Sequence, residues 1–346
     1  EYDWDEFQNL YQDNNGNGSL KGSQFARNKE FRNQWNVFGS LLLPLSEQFS
    51  AQLGININKT RYDYRDLFNT GADNKTANRS FETIVLPNLL LNYNINKNHN
   101  IYGNISRGFS NPTVEETLTP DGVINPDIGQ EKGINYEIGT QLSLAEDRLK
   151  IDVSLYQMNI KNLLVGERIA EDRFVGRNAG KTRHRGLEIG INYTWNLSKN
   201  IQLSPFINYT FNDHQFVEFI DEDVDFSGNA LTGVPKLTGT SGAQFRLFQN
   251  FYLNTTHQYL SAVPLTDEND LDSNPFSVFT ARMGYLKKLN SRFTLGIDIG
   301  INNVFNTVYA QSVLINTQGF GGREPRYFYP GDERNYYGSI RLGYKL

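Results

Sequence analysis

The side chains best suited to bind something are arginines set among rings in two segments. Residues 163–185 carry Arg168, Arg173, Arg177, Lys181, Arg183 and Arg185. Residues 303–335 carry Gly319-Phe320-Gly321-Gly322-Arg323, then Arg326-Tyr327-Phe328-Tyr329, then Arg334. A guanidinium is planar and always charged, grips carboxylate or phosphate oxygens through a fork of donors, and stacks on aromatic faces. Arginine beside tyrosine therefore suits an anionic, planar or iron-chelating ligand. Arg323, Arg326, Tyr327, Tyr329 and Arg334 are the candidate ligand-side residues, with Arg173 and Arg177 from the other segment. The plainer use of the same groups is to hold neighbouring loops together or to meet phosphates at a membrane surface.

Other stretches imitate known motifs and fail on spacing. Gly176-Arg-Asn-Ala-Gly180-Lys181-Thr182 is one residue short of a phosphate-binding loop, and no helix-forming segment follows. Asp267-Glu-Asn-Asp-Leu-Asp272 misses the EF-hand pattern. Its fifth position from Asp267 is Leu271, and the sixth from Asp270 is Pro275, where glycine is required. It reads as a solvated acidic loop, as does Asp221-Glu222-Asp223-Val-Asp225, with a looser cation contact as the sharper alternative. The four histidines, His99, His184, His214 and His257, are scattered and form no H-E-x-x-H pair. His184 and His214 fall near one rim of the architecture described next, where one can ligate a haem iron; a solvated loop histidine is the plainer reading. No G-x-S-x-G elbow exists. The sequence gives no cofactor, no dedicated metal site and no enzyme, and with no cysteine it excludes thiolate metal sites and disulfides.

The elements that position these groups are strands. Tyr336, Gly338, Ile340, Leu342, Tyr344 and Leu346 form one row, and Tyr337, Ser339, Arg341, Gly343 and Lys345 the other. Period two marks a strand with one apolar and one wet face. The pattern recurs about fourteen times, near 2–11, 27–43, 47–62, 81–95, 99–108, 133–144, 149–162, 183–195, 201–213, 236–247, 250–261, 276–288, 292–302 and 335–346. Connections alternate long and short throughout. Aromatics make up 13% of the chain, with 19 Tyr and 23 Phe, yet the mean hydropathy is well below zero. No run of 18 apolar residues exists, so no transmembrane helix is expected. These features predict an all-β fold: a transmembrane antiparallel β-barrel with short periplasmic turns, long outer loops, lipid-facing rings and a polar lumen. A soluble sandwich or solenoid also alternates, but its outer rows would be polar. The net charge of −5 gives no nucleic-acid signal.

Register follows from the bilayer, where every backbone polar group must be paired. Slipping the last strand by one residue would turn Arg341 and Lys345 toward lipid. On this register Ile299 faces lipid and Asp298 the lumen, so Ile299→Lys is expected to impair assembly more than Asp298→Lys. The chain opens Glu1-Tyr2-Asp3-Trp4, already strand-like. A cleaved leader or a longer N-terminal region is expected ahead of it.

Several blocks resemble the TonB-dependent outer-membrane receptors, in the C-terminal part of their barrel. Ser106-Arg-Gly-Phe-Ser-Asn-Pro112-Thr-Val-Glu115-Glu116 is similar to the family's S-R-G-F-R-A-P-T-x-x-E. Asn125-Pro-Asp-Ile-Gly-Gln-Glu131-Lys132 with Asn135-Tyr-Glu-Ile-Gly139 is similar to N-P-x-L-x-P-E-x-x-x-N-Y-E-x-G. Asn178-Ala-Gly180 with Arg185-Gly-Leu-Glu188, Gly233-Val-Pro235-Lys236, Asn302-Asn-Val-Phe-Asn306 with Tyr309, and Arg334-Asn335-Tyr336 follow in family order. Two departures stand out: the last residue is Leu346 rather than an aromatic, and Ser110-Asn111 replaces Arg-Ala. That Arg-Ala form accompanies a ligating histidine in some haem receptors, so the departure weighs against haem.

The resemblance implies a twenty-two-stranded plugged barrel, of which about fourteen strands are seen here, with the N-terminal plug domain and first strands lying outside residues 1–346. It implies active import of a scarce ligand, a ferric siderophore or similar metal chelate foremost, across the bacterial outer membrane. Haem, cobalamin, other metals and glycans are alternatives of the same class. The implied partners are the TonB–ExbB–ExbD complex acting through the plug, the small metal-chelate ligand, outer-membrane lipid and lipopolysaccharide, and room for a surface lipoprotein. A passive fourteen-stranded channel and a structural barrel subunit are the readings from other classes.

Overall fold

The computed structural model describes the backbone of residues 2–13, 21–113, 115–117, 125–170, 173–178, 180–221, 224–248, 250–317, 319 and 322–345. Side chains are described over the same residues except 2–13, 21, 25, 115, 165–170, 173–175 and 221. Among the described residues, fourteen strands follow one another as β1 (Tyr2–Asp13), β2 (Lys21–Pro44), β3 (Phe49–Asp66), β4 (Ile84–Asn96), β5 (His99–Ser110), β6 (Glu131–Leu144) and β7 (Leu149–Lys161). They continue as β8 (Lys181–Tyr193), β9 (Ile201–Glu218), β10 (Leu237–Leu247), β11 (Phe251–Leu260), β12 (Phe276–Lys288), β13 (Phe293–Asn302) and β14 (Asn335–Tyr344). Each pairs antiparallel with the next in chain order, the meander expected of a barrel wall. Among the described residues β1 pairs only with β2 and β14 only with β13, with no ladder between β1 and β14. No described helix is long and apolar enough to cross a membrane.

The ladders run where the alternation places them, but β2, β3 and β9 extend several residues past the apolar rows. Their outer ends are polar and pair above the lipid, where composition carries no membrane signal. Shorter strands decorate the same end. Ala77–Ser80 joins β3, while Leu164–Ala170 pairs with Arg173–Asn178 and Ala310–Val313 with Phe328–Pro330.

The short turns are built by side chains that replace missing ladder bonds. Ser46 Oγ accepts the Gln48 and Phe49 amides, Asn96 Oδ1 the Asn98 amide, and Asn290 Oδ1 the Arg292 and Phe293 amides. These Asx and Ser turns pair five backbone donors at the membrane edge.

The two faces separate by residue parity. On the outer face, Leu41, Leu53, Leu89, Ile105 and Tyr136 lie directly opposite one another across β2 to β6. Ile299, Met283 and Leu253 do so across β13, β12 and β11. Ile340 and Leu342 on β14 are each 75% exposed, side chains that suit hydrocarbon and not water. Rings at the turn end, Phe293 against Tyr344 and Phe251 against Tyr285, mark one interface. The inner face is polar, and four of its tyrosines lie flat across a glycine on the neighbouring strand: Tyr102 on Gly139, Tyr156 on Gly186, Tyr252 on Gly284 and Tyr337 on Gly300. A Cβ on Gly139 would come within 2.6 Å of the Tyr102 ring. The glycine is what lets the ring lie down and its hydroxyl reach along the wall.

Among the described residues the buried apolar clusters sit where the outer ends of the strands meet the long loops. Phe216, Phe219, Phe226 and Leu231 form one cluster, with Leu163 and Val234 against it. Tyr62 and Phe81 form a second, edge to face at 5.1 Å. These clusters hold the long loops as a consolidated rim.

Candidate functional site

The rim is built by the same blocks that stood out in the sequence, and their side chains act as clamps. Thr113 and Glu116 cap each other reciprocally: the Thr113 amide donates to Glu116 Oε2 at 2.7 Å and the Glu116 amide to Thr113 Oγ1 at 3.1 Å. Tyr62 donates its hydroxyl to Pro112 O at 2.6 Å. Arg79 reaches from its short strand to the carbonyls of Asn125, Pro126 and Ile128 while lying 4.7 Å over the Phe81 ring. Asn178 accepts the Gly129 amide at 2.6 Å and donates to Gly129 O and Asn162 O. The block around residue 129 and the block around residue 178, 49 residues apart in sequence, are thus one joint. Gly180 sits at φ +61° with its Cα against the Glu218 carbonyl, a place no side chain fits. Asn303, at φ 49°, donates to Thr307 O and Asp332 O and accepts the Thr307 amide, while Asn306 Oδ1 accepts the Arg334 amide. This pair turns the chain back toward β14.

On that frame the proposed ligand-side residues fall into two groups. Arg323, Arg326, Tyr329 and Arg334 are exposed on the loop between β13 and β14. Tyr329 lies on the Phe328–Pro330 strand opposite Ser312. Tyr327 is half-buried and its carbonyl accepts the Leu314 amide at 2.8 Å. This loop is anchored, since the Asn316 amide donates to Leu265 O and its side chain accepts the Asp267 amide. Arg177 has a different setting. Its guanidinium lies 5.0 Å over Phe219 and 3.6 Å from Asp267 Oδ2, and Asp267 is itself buried and accepts the Thr232 hydroxyl. Arg177 therefore ties three loops together. The backbone of Arg173 pairs opposite Ala170; its side chain lies outside the described residues. The acidic stretch is not simply a solvated loop as read from the sequence, because Asp267 is buried beside Arg177; among the described residues no group of three metal-ligating side chains occurs.

Below the rim the lumen wall is polar and acidic. A cavity of about 460 Å³ is lined by Tyr102, Asp152, Ser154, Glu188, Asn208 and Gln258. Tyr102 donates to Glu137 Oε1 at 2.6 Å and Ser154 to Glu188 Oε2 at 3.3 Å. Nearer the turns, Asp298 accepts from Tyr252 and Ser339 and pairs with Arg282 at 3.0 Å. Asp298 is 4% exposed. The position lies on the face opposite Ile299, and it is the hub of a buried polar cluster, so Asp298→Lys carries a cost of its own beside that of Ile299→Lys.

Sequence reasoning missed one arrangement entirely. His214 is not in a loop but on β9, directly opposite His184 on β8. Their Nδ1 atoms are 3.1 Å apart and the rings 4.6 Å apart, on the lumen side beneath the rim. The only signal in the chain was that both fall on inward parity, which has meaning only once the register of two strands is known.

A family profile described as TonB dependent receptor-like, beta-barrel matches residues 1–304. The unliganded ferric citrate transporter FecA superposes with a TM-score of 0.75 at 17% identity, covering 98% of this chain and 49% of that one. The siderophore receptor PiuA from Acinetobacter baumannii gives a TM-score of 0.69 at 16% identity, covering 93% and 44%. The copper transporter OprC gives 0.69 at 16%, covering 97% and 51%. The chain spans about half the length of the solved receptors it matches. With a fold shared with these barrels and a profile match over most of its length, this chain belongs to the TonB-dependent receptor-like β-barrel family.

Proposed function

We propose that this chain is the C-terminal part of an outer-membrane importer for a small metal chelate, of which a ferric siderophore is the first candidate. The observation that carries the reading is an exposed set of guanidiniums and phenols, Arg323, Arg326, Tyr329 and Arg334, on an anchored loop above a polar lumen. A catecholate, citrate or similar chelate is anionic and planar in parts, which is what a guanidinium fork and a ring recognise. The family and the solved receptors it resembles are receptors and transporters, which supports import over catalysis. In this reading chain outside residues 1–346 supplies the remaining strands and the plug. The TonB–ExbB–ExbD complex pulls on that plug, and outer-membrane lipid and lipopolysaccharide surround the wall. Among the described residues β1 and β14 each have one ladder, which suits such completion.

The test is a binding titration of the full receptor with a panel of ferric chelates, followed by Arg323→Ala with Arg326→Ala. Each charge-assisted contact is worth roughly 1.5–3 kcal/mol, so the double variant is expected to lose about a hundredfold or more in affinity. Unchanged affinity for a chelate that the unaltered receptor binds would remove these residues from the site.

A further inference from the structure

We propose that His184 and His214 form a two-imidazole site for a late first-row transition-metal ion, copper(II) foremost, on the lumen wall beneath the rim. The site stands on its own geometry and does not depend on which chelate, if any, the receptor imports.

The backbone sets the pair. β8 and β9 place the two residues directly opposite each other on the inner face, where side chains of facing strands converge. Two nitrogens each bound at about 2.0–2.1 Å to one metal lie about 2.9 Å apart at a right angle and about 3.4 Å apart at the tetrahedral angle. The observed Nδ1–Nδ1 distance of 3.1 Å falls between these limits.

The hydrogen bonds around the pair point the lone pairs inward. Asn212 donates its side-chain amide to Pro235 O at 2.9 Å, which turns Oδ1 toward Tyr156. Tyr156 donates its hydroxyl to that Oδ1 at 3.1 Å, so the phenol oxygen is left as acceptor for His214 Nε2–H at 3.2 Å. His214 Nδ1 is then the bare nitrogen. On the other ring, His184 Nε2 faces Thr182 Oγ1 at 2.9 Å, a hydroxyl that can accept or donate. Without metal, His184 Nδ1–H donates to His214 Nδ1. When metal enters, that proton moves to Nε2, Nε2–H donates a hydrogen bond to Thr182 Oγ1, and both Nδ1 lone pairs face the ion with no net change in the charge of the protein. An outer partner on the distal nitrogen of each ligating imidazole is the arrangement metal-binding histidines use to fix tautomer and orientation.

The surroundings select the metal. Met158 on β7 lies directly opposite His184 on the same face, and with Tyr156 it lines a cavity of about 500 Å³. Imidazole nitrogens with a soft thioether alongside suit copper, and Cu²⁺ stands highest of the divalent series on nitrogen sites. Two protein ligands leave the remaining positions open to water or to donors carried in with the metal, so the ion is exchangeable.

The experiment is a Cu²⁺ titration of the purified full receptor, read by electron paramagnetic resonance. One equivalent of copper with nitrogen coupling from two imidazoles is expected. Tyr156→Phe keeps both histidines and removes the acceptor of Nε2–H, and is expected to weaken copper binding about tenfold or more. His184→Gln with His214→Gln is expected to abolish the two-nitrogen signal, while His257→Gln keeps it. Absence of imidazole coupling in the unaltered receptor overturns the proposal without any variant. So does copper binding that the histidine double variant leaves intact. Chelate binding that persists in that variant leaves the import reading standing, so the two can fail separately.

Discussion

Ile299→Lys offers the most direct measure of which face meets lipid. At about 3.4 Å rise per residue and a tilt of about 40°, each residue of β13 climbs roughly 2.6 Å. Its ten residues therefore climb about 26 Å, close to the roughly 25 Å height of a barrel's apolar band. Ile299 lies one and a half residues from the strand centre, roughly 4 Å from the midplane by the same rise and tilt. Its side chain is outward, 55% exposed, between Met283 and Gly338. A lysine at the midplane costs about 2–4 kcal/mol and one at the interface about 0–1, so roughly 2–3 kcal/mol is expected here. That is a fall of about one and a half to two decades in the folding equilibrium constant. Asp298→Lys is the wrong control, because Asp298 anchors Tyr252, Arg282 and Ser339. Gln258→Lys is the better one: it is exposed on the lumen face of β11, in the cavity lined by Asp152 and Glu188, where a cation meets carboxylates. Denaturant unfolding of the receptor from lipid vesicles reads both. Equal losses for the two lysines would refute the assigned faces.

Gly139→Ala forces the Tyr102 ring off the wall and breaks its bond to Glu137, with an expected cost of about 1–3 kcal/mol; Tyr102→Ala with Gly139→Ala should recover part of it in the same unfolding assay. Asp267→Ala removes the carboxylate beside Arg177 and the acceptor of the Thr232 hydroxyl, while the amide bond to Asn316 stays, costing about 1–3 kcal/mol, and hydrogen exchange of residues 228–235 and 262–275 should quicken together; exchange confined to one of these loops would contradict the three-loop tie. Asp66 lies at the outer end of β3, beyond its apolar row. Burial raises its pKa, but donors from Asn69, Phe68 and Lys75 outweigh that and hold it below the ordinary value. Its stabilisation of the turn 67–76 is thus full above about pH 4 and is lost as pH falls through the lowered pKa. Asp66→Asn should remove that acid dependence, and an unchanged acid transition in this turn would count against it.

The parity of residues decided most of the fold. Each of the fourteen strands lies on a segment that alternates in the sequence, because one face must dissolve in hydrocarbon and the other must not, and that demand is written every second residue. Turns such as Asn96–Asn98 and Asn290–Arg292 were legible for a similar reason, since their hydrogen bonds close within three residues. Rim residues were legible only as types. Arg323 and Arg177 look alike in the chain, yet one is exposed and the other lies on Phe219 beside Asp267, 90 residues away in sequence. The joint of Asn178 with Gly129, the hub at Asp298 and the pairing of His184 with His214 belong to the tertiary structure alone. Each depends on the register between strands or loops far apart in sequence, and a register is a relation between two segments that neither one carries by itself.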